Sequence, residues 1–131
     1  MLVLKLICRS RWSLYAVCTA RGDCLLEEFL ADQQELGKDK DRMLRRLEAI
    51  AAYGPEYLPD ISHQIEGDVW QTEQGRVRIL WFYDKGRVII CAHGFVKRTQ
   101  KTPEREKAVA RQVLADYRAA KDADSLIFLE D

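Results

Sequence analysis

Five basic residues in this chain have the types and spacing that suit a phosphate ligand: Arg76, Arg78, Lys97, Arg98 and Lys101. The two leading arginines open one apolar run, and the other three follow a second run within the stretch HGFVKRTQKTP, residues 93–103. Guanidinium and ammonium groups on a rigid frame bind a phosphate and stabilise charge that grows on it during a reaction. Whether the five act together depends on the elements that carry them.

The two apolar runs predict a β-hairpin that brings these cations together. Residues 76–83 and 87–97 have the composition of strands, and the turn sequence Asp-Lys-Gly joins them. A two-residue loop of Lys85 and Gly86 would place Arg78 opposite His93. One face of the hairpin is then apolar. The other face carries the candidate site residues Arg76, Arg78, His93, Phe95 and Lys97.

The members of this cluster are less informative one at a time. Arg76 alone is better explained as a solvated residue on the open face of a one-sided sheet, and His93 alone as a packing histidine. Trp70, Trp81 and Phe95 are each better explained as core residues than as stacking platforms for bases. The case for a ligand therefore depends on the group.

The charge distribution favours an anionic ligand for the group. The 131-residue chain has 21 basic and 21 acidic residues, and a net charge of zero argues against a general nucleic-acid binder. However, residues 22–69 contain twelve acidic and five basic residues, whereas residues 70–107 contain nine basic and four acidic ones. Neighbouring like charges destabilise a sheet unless an anion lies between them. The pattern therefore indicates a phosphate-bearing ligand, nucleic acid in particular.

Metal, disulfide and membrane functions are not indicated. The four cysteines (Cys8, Cys18, Cys24 and Cys91) form no CxxC pair and the two histidines are remote from one, so we expect reduced thiols, no metal and no cofactor. The apolar start, MLVLKLIC, is too short to span a membrane and its arginines follow it, unlike those of a signal peptide. We expect a cytoplasmic protein with no membrane partner.

The remaining pattern predicts an α+β fold in the order β-α-α-β-β-β-α. An antiparallel sheet would be packed by an N-terminal αα-hairpin and a C-terminal helix. A single domain would cover residues 1–131, with residues 1–11 as an N-terminal extension or a first strand and residues 122–131 as a tail. The predicted strands are residues 12–19, 61–72, 76–83 and 87–97, with a short final one at 125–129. The predicted helices run from Asp23 to Leu36, from Asp39 to Tyr53, and from Pro103 to about Lys121 with Thr102 as N-cap.

These residues carry a resemblance to a known family. The stretch HGFVKRTQKTP after the strand RVRILWFY resembles the signature of the phage-derived, HigB-like toxins of the RelE/ParE superfamily. The segments WSLY, ARGD and EEFL, residues 12–30, are similar too. The resemblance covers residues 12–121 and implies a RelE-like fold.

The resemblance implies a ribosome-dependent mRNA endoribonuclease that inhibits translation as the toxin of a type II toxin–antitoxin system. Its partners would be the ribosome, mRNA and a cognate antitoxin, often of helix-turn-helix type. Arg78 would clamp the phosphate, Lys97 would act as clamp or base, and His93 is a candidate acid or base. The implied RNA-binding residues are Arg76, Lys101 and Arg98 for the backbone and Trp70 or Phe95 for base stacking.

One departure keeps a second function open. In the run WQTE, Glu73 stands where the family commonly has a basic residue, and a carboxylate there would weaken RNA binding. The alternative is a non-catalytic protein of the same fold, either a ParE-like gyrase poison or a degenerate toxin that only binds an antitoxin. Arg78, Lys97 and Lys101 favour the nuclease, whereas Glu73 favours the alternative. A generic RNA-binding domain is disfavoured because no RRM, KH or OB signature is present.

Overall fold

The computed structural model describes residues 1–31, 37–56 and 60–130. Ten elements follow one another in these residues. The strands are β1 (Leu2–Arg9), β2 (Ser13–Cys18), β3 (Ser62–Glu66), β4 (Val69–Gln74), β5 (Val77–Asp84), β6 (Val88–Val96) and β7 (Leu126–Leu129). The helices are α1 (Leu25–Ala31), α2 (Asp39–Tyr53) and α3 (Glu104–Asp122).

The described strands form one mixed sheet in the order β3-β4-β5-β6-β2-β1-β7. Neighbours are antiparallel except for β2 with β6 and β1 with β7, which are parallel. The α+β class is therefore confirmed, but the predicted element order and the purely antiparallel sheet are wrong in detail. Residues 61–72, predicted as one strand, instead contain β3 and the start of β4, which turn at Gly67 with a φ of +50°. Residues 1–11 contain β1, and the C-terminal tail contains β7.

Helices cover both faces of the sheet. On one face, α1 and α2 bury apolar residues in a core that also contains Val77, Ile79 and Trp81 of β5. On the other face, α3 buries Ala110 and Tyr117 against the alternate residues of β5 and β6. The described part of the sheet is therefore not one-sided, as the alternative explanation of Arg76 would require. The predicted end of the first helix at Leu36 lies outside the described residues.

The hairpin of β5 and β6 forms as predicted, but its register differs. The turn has three residues, because Asp84 pairs with Val88, and Gly86 and Arg87 have φ of +85° and +60°. A second shift falls between Leu80, which pairs with His93, and Trp81, which pairs with Cys91. Arg78 therefore lies opposite Phe95, not opposite His93. The alternation of faces nevertheless keeps Arg78, His93 and Phe95 on the same face at this end of the hairpin.

The last helix begins one residue later than predicted. Pro103 occupies the N-cap position with extended φ and ψ of −61° and 144°, and no side chain caps the helix. Thr102 is not the N-cap, and its hydroxyl instead donates a hydrogen bond to Gln71 Oε1 over 2.7 Å. This bond ties the loop after β6 to β4. Of the helices in the described ranges, none combines the length and the apolar character needed to cross a membrane.

Candidate nucleic-acid interface

Four of the five predicted cations meet at one end of the β5–β6 hairpin. They line an open pocket of about 410 Å³, whose described lining residues include no carboxylate: Arg76, Arg78, Lys97, Arg98, Thr99 and Gln100. Lys97 N donates to Arg76 O over 2.7 Å, which extends the strand pairing by one residue beyond β5 and β6. This bond places the start of β5 beside the chain that leaves β6. We call this the cationic pocket.

Arg78 is the most firmly held of these cations. Its side chain is only 10% exposed, and Nη1 donates to the carbonyl oxygens of Gly75 (2.7 Å) and Val77 (3.0 Å). Nε is buried and has no hydrogen-bond partner in the described part of the chain. A guanidinium has five N–H donors, so the backbone anchors this group while leaving donors for an anion. Arg78 is thus a buried, oriented cation rather than a solvated strand residue.

Gly75 provides one of the two carbonyl anchors. It lies in the turn between β4 and β5 with a φ of +57°, a conformation that favours glycine. A Cβ at this position would also overlap the carboxylate of Asp39, the first residue of α2. That carboxylate accepts a hydrogen bond from Gln74 Nε2 over 2.9 Å. Helix α2 therefore helps to fix the turn that orients Arg78, a role that the sequence pattern did not reveal.

A carboxylate that does not line the cationic pocket lies close to one of its cations. Glu73 pairs with Arg78 across β4 and β5, with 3.8 Å between Glu73 Oε1 and Arg78 Nε. Gln71 Nε2 donates to the same oxygen over 3.1 Å, and His63 Nε2 lies 3.8 Å from it. The Arg46 guanidinium donates to the backbone oxygen of Glu73. Alternation of β3 and β4 brings His63, Gln71 and Glu73 to the same face as Arg78, and the sequence analysis singled out neither His63 nor Gln71.

His93 lies outside the cationic pocket. Its Nε2 is 2.8 Å from Glu106 Oε1 in α3, and its ring stacks on that of Phe95 with centroids 5.9 Å apart. It lines a different groove, of about 820 Å³, between α1, β6 and α3. The carboxylate of Glu106 thus occupies one ring nitrogen, and the structure separates His93 from the four clustered cations.

The other predicted RNA-binding residues also lie apart from the pocket. Trp70 belongs to the opposite face of the sheet, where it stacks on Trp81 with centroids 5.5 Å apart. Phe95 is 6% exposed and packs in the core under α3. Lys101 is exposed but is absent from the pocket lining. Two polar residues that line the pocket, Thr99 and Gln100, were missed although both belong to the HGFVKRTQKTP stretch.

The described residues contain no group of three His, Cys, Asp or Glu side chains placed to hold a metal ion. All four cysteines are free thiols.

Residues 31–115 match the sequence model of a family described as Phage derived protein Gp49-like (DUF891). The match spans more than half of the chain and includes every residue of the cationic pocket. The chain belongs to this family. Gp49-like proteins are a toxin-like family of the RelE type, often the toxins of toxin–antitoxin systems and associated with endonuclease activity. No curated protein matches the chain.

Proposed function

We propose that this Gp49-like protein is the HigB-like toxin of a type II toxin–antitoxin pair and that it cleaves mRNA on the ribosome. The observation that carries the proposal is the cationic pocket, in which three basic side chains lie around a buried, backbone-anchored Arg78. Family membership supports the toxin role. Its partners would be the ribosome with its mRNA and a cognate antitoxin, which we expect to be of helix-turn-helix type.

The reaction we propose is attack of a ribose 2′-oxygen on the adjacent phosphorus. The new O2′–P bond forms as the P–O5′ bond breaks, which leaves a 2′,3′-cyclic phosphate and a 5′-hydroxyl. The 2′-hydroxyl loses a proton and the departing 5′-oxygen gains one. Negative charge grows on the phosphate oxygens in between, so fixed cations lower the barrier more effectively than mobile ones. Arg78 suits this role because its orientation is set before the substrate arrives.

The other pocket residues take supporting roles in this proposal. Lys97 is the second phosphate ligand or the base, because it leaves β6 beside Arg76 and faces the same pocket as Arg78. Arg76 and Arg98 bind the flanking phosphates. His93 takes no direct part, because its Nε2 lies against the Glu106 carboxylate. Trp70 and Phe95 do not stack on bases in this proposal, because Trp70 stacks on Trp81 and Phe95 packs in the core.

Glu73 favours a second candidate, a non-catalytic member of the same fold that poisons gyrase or only binds an antitoxin. Its carboxylate lies 3.8 Å from Arg78 Nε and competes with a phosphate for the same guanidinium. Two points weigh for the nuclease instead. The carboxylate does not line the cationic pocket, and Arg76 and Lys97 line it together with Arg78.

The deciding experiment is primer-extension mapping of a reporter mRNA in a purified translation system, with and without ribosomes. Wild type is compared with Arg78→Ala and Lys97→Ala, and with Lys85→Ala as a matched control that removes an exposed cation from the opposite end of the hairpin. We expect ribosome-dependent cuts that disappear in both pocket variants and persist in the control. Because Arg78 is buried, Arg78→Lys and circular dichroism test whether any loss reflects misfolding.

The two candidate functions give different outcomes. If expression of the protein arrests growth but no mRNA cuts are found, the nuclease function is rejected. Gyrase would then be the next target to test. Cuts that survive both Arg78→Ala and Lys97→Ala would keep a nuclease but remove its assignment to the cationic pocket.

A further inference from the structure

The two edges of the sheet are protected very differently. The β3 edge has polar and charged side chains, among them His63, Gln64 and Glu66, and its register shifts between Gln64 and Glu66. Charges and bulges of this kind prevent an exposed edge from pairing with another chain. The β7 edge, Leu-Ile-Phe-Leu, has no charge, no proline and no bulge. In the described part of the chain no strand lies beyond β7.

The unprotected edge is apolar on both faces. Ile127 is 40% exposed and Phe128 is 41% exposed. Ile127 pairs with Val3 and therefore lies on the side of α1 and α2. Phe128 pairs with Leu4 on the opposite side, where its ring packs edge-on against that of Tyr15 with the ring centroids 4.8 Å apart. A strand added beside β7 would cover part of both side chains.

The backbone of β7 has free hydrogen-bonding groups for such a strand. Leu2 N donates to Ser125 O over 3.1 Å, so the carbonyl group of Ser125 faces β1. Because successive residues of a strand face opposite neighbours, the backbone groups of Leu126 and Phe128 point away from β1. An extended segment alongside β7 would pair with these outward groups, as in other cases of strand addition.

Acidic residues flank the β7 edge, and their negative charge favours a basic binding partner. Asp122 and Asp124 precede β7, are exposed, and have no ion-pair partner among the described residues. Glu130 follows it and accepts hydrogen bonds from Arg9 and Tyr15. Antiparallel pairing with a second copy of the chain would bring Asp124 beside the acidic end of the other copy, which is unfavourable. A segment with basic residues at its ends complements the edge instead.

We propose that β7 is a docking site for an extended segment of another protein, with alternating apolar residues between lysines or arginines. β1 and β7 lie outside residues 31–115, the part of the chain that matches the Gp49-like family. This edge lies at the far side of the sheet from β4 and β5. The interaction is independent of the cationic pocket.

The test uses the full-length, ¹⁵N-labelled protein and two synthetic peptides. Both have Val-Thr-Ile-Thr-Val at the centre, with two lysines at each end of one peptide and two glutamates at each end of the other. We expect the basic peptide to bind at least about tenfold more tightly than the acidic one. At saturation, hydrogen exchange of the Leu126 and Phe128 amides should slow by about tenfold or more, because strand pairing shields them.

A matched pair of variants locates the site. Ile127→Lys places a positive charge on the exposed edge strand, where it opposes strand pairing, and should weaken binding of the basic peptide by about tenfold. Ile127→Thr keeps a β-branched, neutral residue and should stay within about threefold of wild type. Equal binding of both peptides, or binding that leaves the Leu126 and Phe128 amides unprotected, would overturn the proposal. So would absence of binding, or a dimer in analytical ultracentrifugation that Ile127→Lys dissociates, since the occupant would then be a second copy.

Discussion

At the scale of single residues, the most informative finding is the contrast between Arg78 and Glu73. Arg78 is buried, held by two backbone carbonyls, and directed at the cationic pocket. Glu73 lies opposite it and is held by Gln71 and the backbone contact with Arg46. In the function we propose, Arg78 would bind phosphate and Glu73 would oppose that binding. The balance between the two charges is therefore open to direct measurement.

Replacing Glu73 by glutamine should strengthen RNA binding. The amide is isosteric and can still accept the hydrogen bond from Gln71, but it no longer attracts the guanidinium of Arg78. Half-exposed ion pairs contribute up to about 1 kcal/mol, so we expect about fivefold tighter binding of a short single-stranded RNA at low salt. Fluorescence anisotropy measures the affinity for RNA, and the gain in affinity should shrink at high salt because salt screens the charges.

Asp122→Asn provides the control for this prediction, since it changes the net charge equally at the far end of α3. A similar gain in that variant would mean that Glu73 acts only through net charge. Tighter binding with slower cleavage in Glu73→Gln would mean that the carboxylate, 3.8 Å from His63 Nε2, takes part in proton transfer.

Gly75 allows a second test at the same scale. Alanine at position 75 would have a strained backbone, with a φ of +57°, and its Cβ would also overlap the Asp39 carboxylate. Gly67→Ala has only the backbone strain of a φ of +50°, because the space around that position is open. We expect Gly67→Ala to cost about 1 kcal/mol of unfolding free energy and Gly75→Ala about 2–3 kcal/mol. Urea denaturation measures both. Equal costs would show that Asp39 moves aside freely and does not fix the turn.

The sequence predicts which cations lie together more accurately than how they are arranged. Strand alternation predicts Arg76, Arg78 and Lys97 on one face, and the structure brings these three together with Arg98 in one pocket. His93 was placed opposite Arg78 because a two-residue loop was assumed. The three-residue turn and the register shift at Trp81 each displace the pairing. Neither the Gly75 carbonyl nor the Glu106 partner of His93 could be predicted, because both depend on tertiary contacts.

At the scale of elements, the periodicity of the chain predicted what each segment is but not which segment it meets. Helix α2 begins at Asp39 as predicted, and Gly54 follows its last residue with a φ of +97°. The parallel pairings of β2 with β6 and of β1 with β7 join segments distant in the chain. Such pairings leave no local signal, because a strand has the same alternation whichever neighbour it has. The short apolar run at residues 125–129 was recognised as a strand, but its partner was not.

The attachment of α3 to the hairpin is an element-scale feature that can be tested by mutation. Asp84 Oδ2 accepts hydrogen bonds from Tyr117 Oη and Lys121 Nζ, both over 2.7 Å. Burial alone would raise the pKa of Asp84, but the hydrogen bonds from Lys121 and Tyr117 outweigh it and hold the pKa below its usual value. We expect Asp84→Asn to lower the free energy of unfolding by about 1–3 kcal/mol at neutral pH. Urea denaturation measures the change.

The pH dependence of this effect has a definite sign. A carboxylate with a lowered folded pKa contributes its full stabilisation above its ordinary pKa of 3.8, and the contribution is lost as the pH falls through the folded value. The difference between wild type and Asp84→Asn should therefore shrink below about pH 4. Asp68→Asn is the control, because the ion pair of Asp68 with Arg118 is mostly exposed and should contribute little. A difference that grows on acidification would contradict the assignment.

At the scale of the whole molecule, the sheet separates the cationic pocket from the apolar β7 edge. The cationic pocket lies at the β5–β6 end, the helices close both faces, and the apolar β7 edge lies at the opposite side. The core between them contains three buried thiols, Cys18, Cys24 and Cys91. Since these thiols occur on β2, on β6 and at the start of α1, their reactivity reports whether the centre of the sheet opens.

The last prediction is that these thiols react only through opening of the sheet. Burial raises the pKa of Cys8 and of Cys18 to about 11 and that of Cys91 still further, so at about pH 8 roughly one thiol in a thousand would ionise at Cys8 or Cys18. Cys8 differs from Cys18 in its greater exposure, not in its pKa. With a disulfide reagent we expect the half-buried Cys8 to react first and the other three at least about a hundredfold more slowly than glutathione. All four should react at once in concentrated guanidinium. If Cys91 reacted as fast as Cys8 without denaturant, the parallel pairing of β2 with β6 would be the part of the sheet that opens first, because Cys91 pairs there with Ala16.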